Sequence, residues 1–300
     1  MIQPTQHTDG LRSLTQIYTR SHFSRVIKKN DLKFIMSRLN KHVEINGRYK
    51  YLDLLTAIYK QLQNAYRSEY FYKNALINKL LLGKYSLKTT TVLNEFKIGN
   101  SIADFVLLNG EARIYEIKTD LDSLEKLEKQ IHDYSQFGNK VYIVASYNHI
   151  KKLVDVYENS PIGLIEFTQR DTLRISKEAT ECSENFNHTT IFKTLRKQEY
   201  LDIINDHLGF IPDVPNTLLF KECLALAKDI PIKEFQKSVF EKLKERKLQQ
   251  PSLLCDKRTP YELKHICYTM DLSENDYHNL YAFLNKEVEH VPSISKRQTI

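Results

Sequence analysis

The sequence predicts a mixed α/β fold in which helices flank a sheet, and three observations carry that expectation. The hydrophobic period changes twice along the chain. It is helical before about residue 62 and on through Ser68–Leu82, then turns to strands with two helices among them, and is helical again from about Thr189. Two of the strand-like runs are joined by Asn109-Gly110, a dipeptide that favours a tight hairpin turn. A helix-length segment then separates "ARIYEIKT" from "KVYIVAS", the kind of connection that a parallel strand pair requires.

Taken in order, "DLKFIMSRL" and "LDLLTAIYKQL" place apolar residues three and four apart and read as helices. "SEYFYKNALINKLLL" (Ser68–Leu82) continues as a long helix that Gly83 can end. "TTTVLNEFKI", "SIADFVLL", "ARIYEIKT" and "KVYIVAS" are rich in β-branched and aromatic residues and read as strands. Between the last two, Leu124, Leu127, Ile131 and Tyr134 form one apolar helical stripe, which Asp122 or Ser123 could cap. "NHIKKLVDVYENS" reads as a helix and "IGLIEFTQ" as a strand. "TIFKTLRKQEYLDIIN", "LLFKECLALAKD", "IKEFQKSVFEKLKERK" and "YELKHICYTM" follow as helices.

The composition limits the function classes. No apolar run approaches the roughly 20 residues needed to cross a bilayer, so a soluble protein without membrane association is expected. Cys182, Cys223, Cys255 and Cys267 are scattered without a CxxC pair, which argues against structural zinc and disulfides and for a reducing cytoplasm. GxGxxG and GKT motifs are missing, which counts against dinucleotide and P-loop sites. The net charge of +7 is concentrated in residues 1–60, where 11 Lys/Arg face 4 Asp/Glu, and the remainder balances at 33 against 33. A basic excess at one end suits a polyanion, with Arg25, Lys28 and Lys29 as the expected phosphate contacts, although a solvated helical face explains the charge as well.

Asp104, eleven residues, then Glu116-Ile117-Lys118 form a D-x11-E-x-K pattern inside two strands that otherwise belong in a core. Two carboxylates can hold Mg²⁺ or Mn²⁺, and a lysine two positions after the glutamate projects from the same strand face. The set suits metal-assisted phosphodiester hydrolysis. The pattern alone is weak, because a strand can end in charged residues by chance. It also makes a demand on register. A strict two-residue turn at Asn109-Gly110 would set Asp104 opposite Tyr115 and leave Glu116 on the other face. A shared metal therefore requires a shift of one residue that aligns Asp104 with Glu116.

The arrangement resembles the PD-(D/E)XK nuclease superfamily over roughly Arg67 to Phe167. More closely, "YRSEYFYKNAL", "SIADFVLLNG" and "YEIKTDLDSLEKLEKQ" look like an uncharacterised bacterial branch of it that extends from about Ala57 onward. The resemblance implies an αβββαβ core with helical N- and C-terminal regions. It implies that Asp104 and Glu116 bind metal and that Lys118 positions water. Gln130 and Tyr134 form the QxxxY seen in the RecB-like branch, and Glu69 matches the acidic residue many members carry in the preceding helix. Ala103 stands where the proline of the superfamily's name would be.

Each supporting residue has a plainer explanation. Glu69 and Lys73 could be a helix pair one turn apart, and Gln130 an exposed helix residue. Asp120 and Asp122 suit caps or loops, Glu95 a solvent-facing strand position, and His132 and His149 the surface. The expectation is a three-part chain: a basic helical region 1–62, a nuclease-like core 63–180 and a helical region 181–300. It would be a bacterial cytoplasmic Mg²⁺-dependent nuclease acting on DNA, with a role in defence or mobile-element biology. The alternatives are a catalytically silent nucleic-acid-binding or adaptor protein, and a scaffold. In the latter, C-terminal helices carrying Phe235, Val239, Phe240 and Leu243 would dock a protein partner, unless that stripe is internal core.

Overall fold

A computed structural model of the chain describes residues 1–288. Contacts gather the described residues into two units: Met1–Asn78 together with residues 248–288, and Lys79–Lys247. This division differs from three consecutive segments, because the last helices pack with the first ones and the middle helices pack with the sheet.

The first unit opens with β1 (Ile2–Pro4), α1 (Thr8–Thr15), α2 (Arg20–Lys29), α3 (Lys33–His42), β2 (Val43–Ile45), α4 (Tyr51–Ala65) and α5 (Glu69–Ala75). The strands β1 and β2 pair antiparallel, a short ribbon the sequence pattern did not reveal. α4 shows why these segments are helical. Tyr51, Leu54, Leu55, Ile58, Tyr59 and Leu62 are buried along one stripe, and Asp53 accepts from the Lys50 backbone N–H at its start. α5 runs into a π-helical stretch, Leu76–Leu81, and a last turn, α6 (Leu82–Lys84), so Gly83 lies within the helical run and does not end it.

The second unit is built on a six-stranded sheet. In chain order it contains β3 (Thr91–Ile98), β4 (Ser101–Asn109), β5 (Glu111–Lys118), α7 (Leu127–Ser135), β6 (Lys140–Ala145), α8 (Tyr147–Tyr157), β7 (Gly163–Phe167) and β8 (Leu173–Lys177). The spatial order is the same as the chain order. β3, β4 and β5 form an antiparallel meander, β5, β6 and β7 are parallel, and β8 returns antiparallel. The meander, the crossover helix and the next parallel strand match the expected order, giving a mixed α/β architecture. β8 was not read from sequence, because its apolar–polar alternation covers only five residues and these are largely exposed.

Helices α9 (His188–Phe192), α10 (Lys197–Leu208), α11 (Asn216–Ala227) and α12 (Ile232–Lys244) complete this unit. One core joins Val106, Leu108, Ile114, Val141 and Ile143 of the sheet to Tyr134 and Phe137 of the α7 segment. Phe235, Val239, Phe240 and Leu243 of α12 enter the same core, so that stripe is internal and not a docking face. The first unit is completed by α13 (Pro251–Cys255), α14 (Lys264–Met270) and α15 (Glu274–Asn285). No helix among the described residues is long and apolar enough to cross a membrane.

Candidate functional site

The site begins with the β4–β5 turn. Asn109 faces Glu111, and Gly110, at φ +69°, is the one residue between them. Only a residue tolerant of positive φ closes so short a connection without strain. The ladder then runs Leu108 to Ala112, Val106 to Ile114 and Phe105 to Tyr115. One more step in that register sets Asp104 opposite Glu116, so both carboxylates belong to one face. This is the shift of one residue that a shared site demands. Asp104 Oδ2 accepts from the Ile117 backbone N–H at 2.8 Å, tying the end of β4 to β5 through a side chain.

The crossover helix covers that face. Gln130, Asp133 and Tyr134 are three and four residues apart on α7 and project together. Gln130 Oε1 accepts from Lys118 Nζ at 2.9 Å, and Lys118 Nζ also donates to Glu116 Oε1 at 3.0 Å. The Tyr134 hydroxyl lies 2.7 Å from Glu116 Oε2 and 2.8 Å from the Ile102 carbonyl. Asp133 Oδ2 accepts from Ser101 Oγ at 2.6 Å and from the Asn100 N–H at 3.2 Å, which pins α7 to the β3–β4 turn. Gly99 stands in that turn at φ +59°, where an added Cβ would come within 2.9 Å of Asp133 Oδ1.

Burial gives the cluster its electrostatics. Glu116 is 2% exposed and Lys118 7%, while Asp104 is half-buried. Desolvation raises the Glu116 carboxyl above the ordinary carboxylate range, with the Lys118 charge and the Tyr134 and Lys118 hydrogen bonds opposing it. Desolvation, then the Glu116 charge, raises the Tyr134 phenol. A chain of donors follows from this. When Glu116 is ionised it accepts the Tyr134 proton; when it is protonated it can donate to Tyr134, whose proton then turns to Ile102.

The remaining expected residues fall out as follows. Glu69 belongs to the first unit, where its carboxylate sits 2.5 Å from Lys73 Nζ one turn along α5. Arg25 is engaged by Asp31 at 2.5 Å, whereas Lys28 and Lys29 are exposed in the last turn of α2. Asp122 accepts from the Thr119 N–H and hydroxyl, and Asp120 accepts from Ser146 and Asn148, so both are loop carboxylates. Neither Asp122 nor Ser123 caps α7, whose N-cap position is Lys126. Glu95 is exposed, at φ +50°, where the ladder between Asn94–Phe105 and Phe96–Ala103 skips the position across from Asp104. His132 is exposed, but His149 is buried, because it lies on the face of α8 that also buries Ile150 and Leu153. Tyr134, expected both in the packed stripe and as the tyrosine of QxxxY, reaches Glu116, whereas the sequence reading missed Asp133. The spacing from Gln130 was the available signal for both. Among the described residues no three His, Cys, Asp or Glu side chains gather at metal-holding distance.

Fold and cluster together define a mixed α/β protein with a buried carboxylate–lysine pair under the crossover helix of its sheet. The chain belongs to the family described as Bacteriophage P4 protein cII, whose profile matches residues 62–266. It is similar to protein cII of Enterobacteria phage P4, at 28% identity over 181 residues. That similarity covers 58% of this chain and 66% of the relative, so the chain spans just under two thirds of the relative's length. No solved structure matches the chain.

Proposed function

We propose that this protein is a metal-dependent nuclease with a PD-(D/E)XK-like core that hydrolyses phosphodiester bonds, with DNA as substrate. The observation that carries the reading is the β4–β5 register, which gives Asp104 and Glu116 one face with Lys118 bonded to Glu116 and Gln130. The donor set fits Mg²⁺ or Mn²⁺. Both are hard cations that take carboxylate oxygens and fill their remaining positions with water and phosphate oxygen. A desolvated carboxyl such as Glu116 is also stabilised in its ionised form by a nearby cation. When bound, the metal supplies an acidified water and positive charge for the transition state. Lys118 has three N–H donors, two of them used by Glu116 and Gln130, and the third can orient water or a phosphate oxygen. Gln130 and Tyr134 hold Lys118 and Glu116 in place. Glu69, the further acidic residue the superfamily resemblance implies, is paired with Lys73 on α5. A relative from a phage supports a setting in mobile-element biology.

A second reading, a silent nucleic-acid-binding or adaptor protein, is favoured by one observation. Both Glu116 oxygens are already engaged, one by Lys118 and the other by Tyr134. The test is incubation of the purified protein with plasmid, linear and single-stranded DNA and RNA, with Mg²⁺, Mn²⁺ or chelator. Cleavage should require metal, and Glu116→Gln should slow it by at least about 10²-fold, the scale seen when one charge-stabilising group is removed. Absence of cleavage on every substrate would give the silent reading precedence.

A further inference from the structure

In the first unit, α2 and α15 enclose a groove of about 680 Å³ whose residues come from opposite ends of the chain. Its floor is apolar, with Val26, Ile27 and Phe283 buried. Its rim carries Lys28, Lys29 and Lys286, all exposed, and among the described residues no carboxylate lines it. None of these three lysines has a side-chain ion pair or hydrogen bond among the described residues. At the border, Lys50 and Glu287 pair through their backbones and bring one charge of each sign. Arg25 is neutralised by Asp31.

A lysine near a helix C-terminus can serve only to complement the helix dipole, and both α2 and α15 end here. Each end carries roughly half a negative charge, so about one unit in all stands against three ammonium groups. The groove keeps an uncompensated positive charge of about two.

We infer that the α2–α15 groove is a docking site for the sugar–phosphate backbone of a nucleic acid, with Lys28, Lys29 and Lys286 as its phosphate contacts. The inference rests on the nucleic-acid part of the proposed function but needs no cleavage. Lys286 is its distinguishing residue, because sequence position sets it far from the basic first 60 residues. Arg25 is excluded from the site by its own ion pair.

The test is fluorescence anisotropy of a labelled duplex oligonucleotide with the full-length protein in chelator, over a range of salt. Each lost phosphate contact should lower the magnitude of the log–log salt slope by about 0.9. Lys28→Ala, Lys29→Ala and Lys286→Ala should each show that decrement, and Arg25→Ala should not. An unchanged slope for Lys286→Ala would overturn the groove as the site. So would displacement of the duplex by a glutamate peptide of equal charge as readily as by unlabelled duplex, which would make the groove an acidic-peptide site. Because chelator suppresses metal chemistry, loss of binding here is read separately from loss of cleavage by Glu116→Gln.

Discussion

Lysine appears in two opposite settings in this molecule. In the second unit, Lys118 is buried and holds hydrogen bonds to Glu116 and Gln130 on a sheet face. In the first unit, Lys28, Lys29 and Lys286 are exposed around an apolar-floored groove. The same ammonium group therefore does different work. Where water is excluded, its charge is strong, directional and costly to leave alone. Where water is present, each charge contributes little by itself and acts through its sum with the others, screened by salt.

The largest expected effect would break the comparison on the buried side. Lys118→Met should cost about 3–5 kcal/mol of stability, since it leaves a carboxyl desolvated without its cation. Glu116→Gln combined with Lys118→Met should recover most of that loss in urea unfolding. The cost should shrink as pH falls. A carboxyl whose folded pKa is raised loses stability as pH rises and regains it when protonated. A loss below about 1 kcal/mol would mean that the pair is hydrated and the contrast between the settings false.

A second test asks whether burial, and not membership of a unit, makes the difference. His265 lies buried in the first unit with neither ring nitrogen hydrogen-bonded among the described residues. Desolvation, then the Lys73 charge, lowers it to about 3. The unfolded chain therefore takes up a proton near pH 6.5 that the folded chain refuses. Stability should fall by about 1.4 kcal/mol per pH unit as pH drops below about 6.5, reaching about 2 kcal/mol at pH 5. His265→Leu should flatten that slope, and an unchanged slope would assign the acid sensitivity elsewhere.

The smallest effect sharpens the picture of the site. Tyr134→Phe removes one hydrogen bond from Glu116 Oε2 and should cost about 1–2 kcal/mol. That bond lowers the Glu116 pKa, so its loss should raise it, and the acid limb of any cleavage profile should move to higher pH. A limb that stays in place would detach Glu116 from the titration that controls activity.

By itself, the sequence determined what local patterns encode. Strand-like and helical periods fixed the meander, the crossover helix and the parallel strand after it. Asn109-Gly110 marked the turn, and the spacing of Asp104, Glu116, Lys118 and Gln130 marked the cluster. Spacing could not choose the register, because a shift of one residue in the turn moves a carboxylate to the other face without changing any residue. Only the folded sheet set Phe105 across from Tyr115, the register whose next step gives Asp104 and Glu116 one face. Tertiary packing also turned Tyr134 and Asp133 toward the sheet, buried His149, and gave β8 its partner. It set Glu69 against Lys73 and brought Lys286 to the groove beside Lys28. Contacts between residues far apart in the chain depend on which surfaces bury one another, and that is settled by the whole fold's packing rather than by any short stretch of sequence.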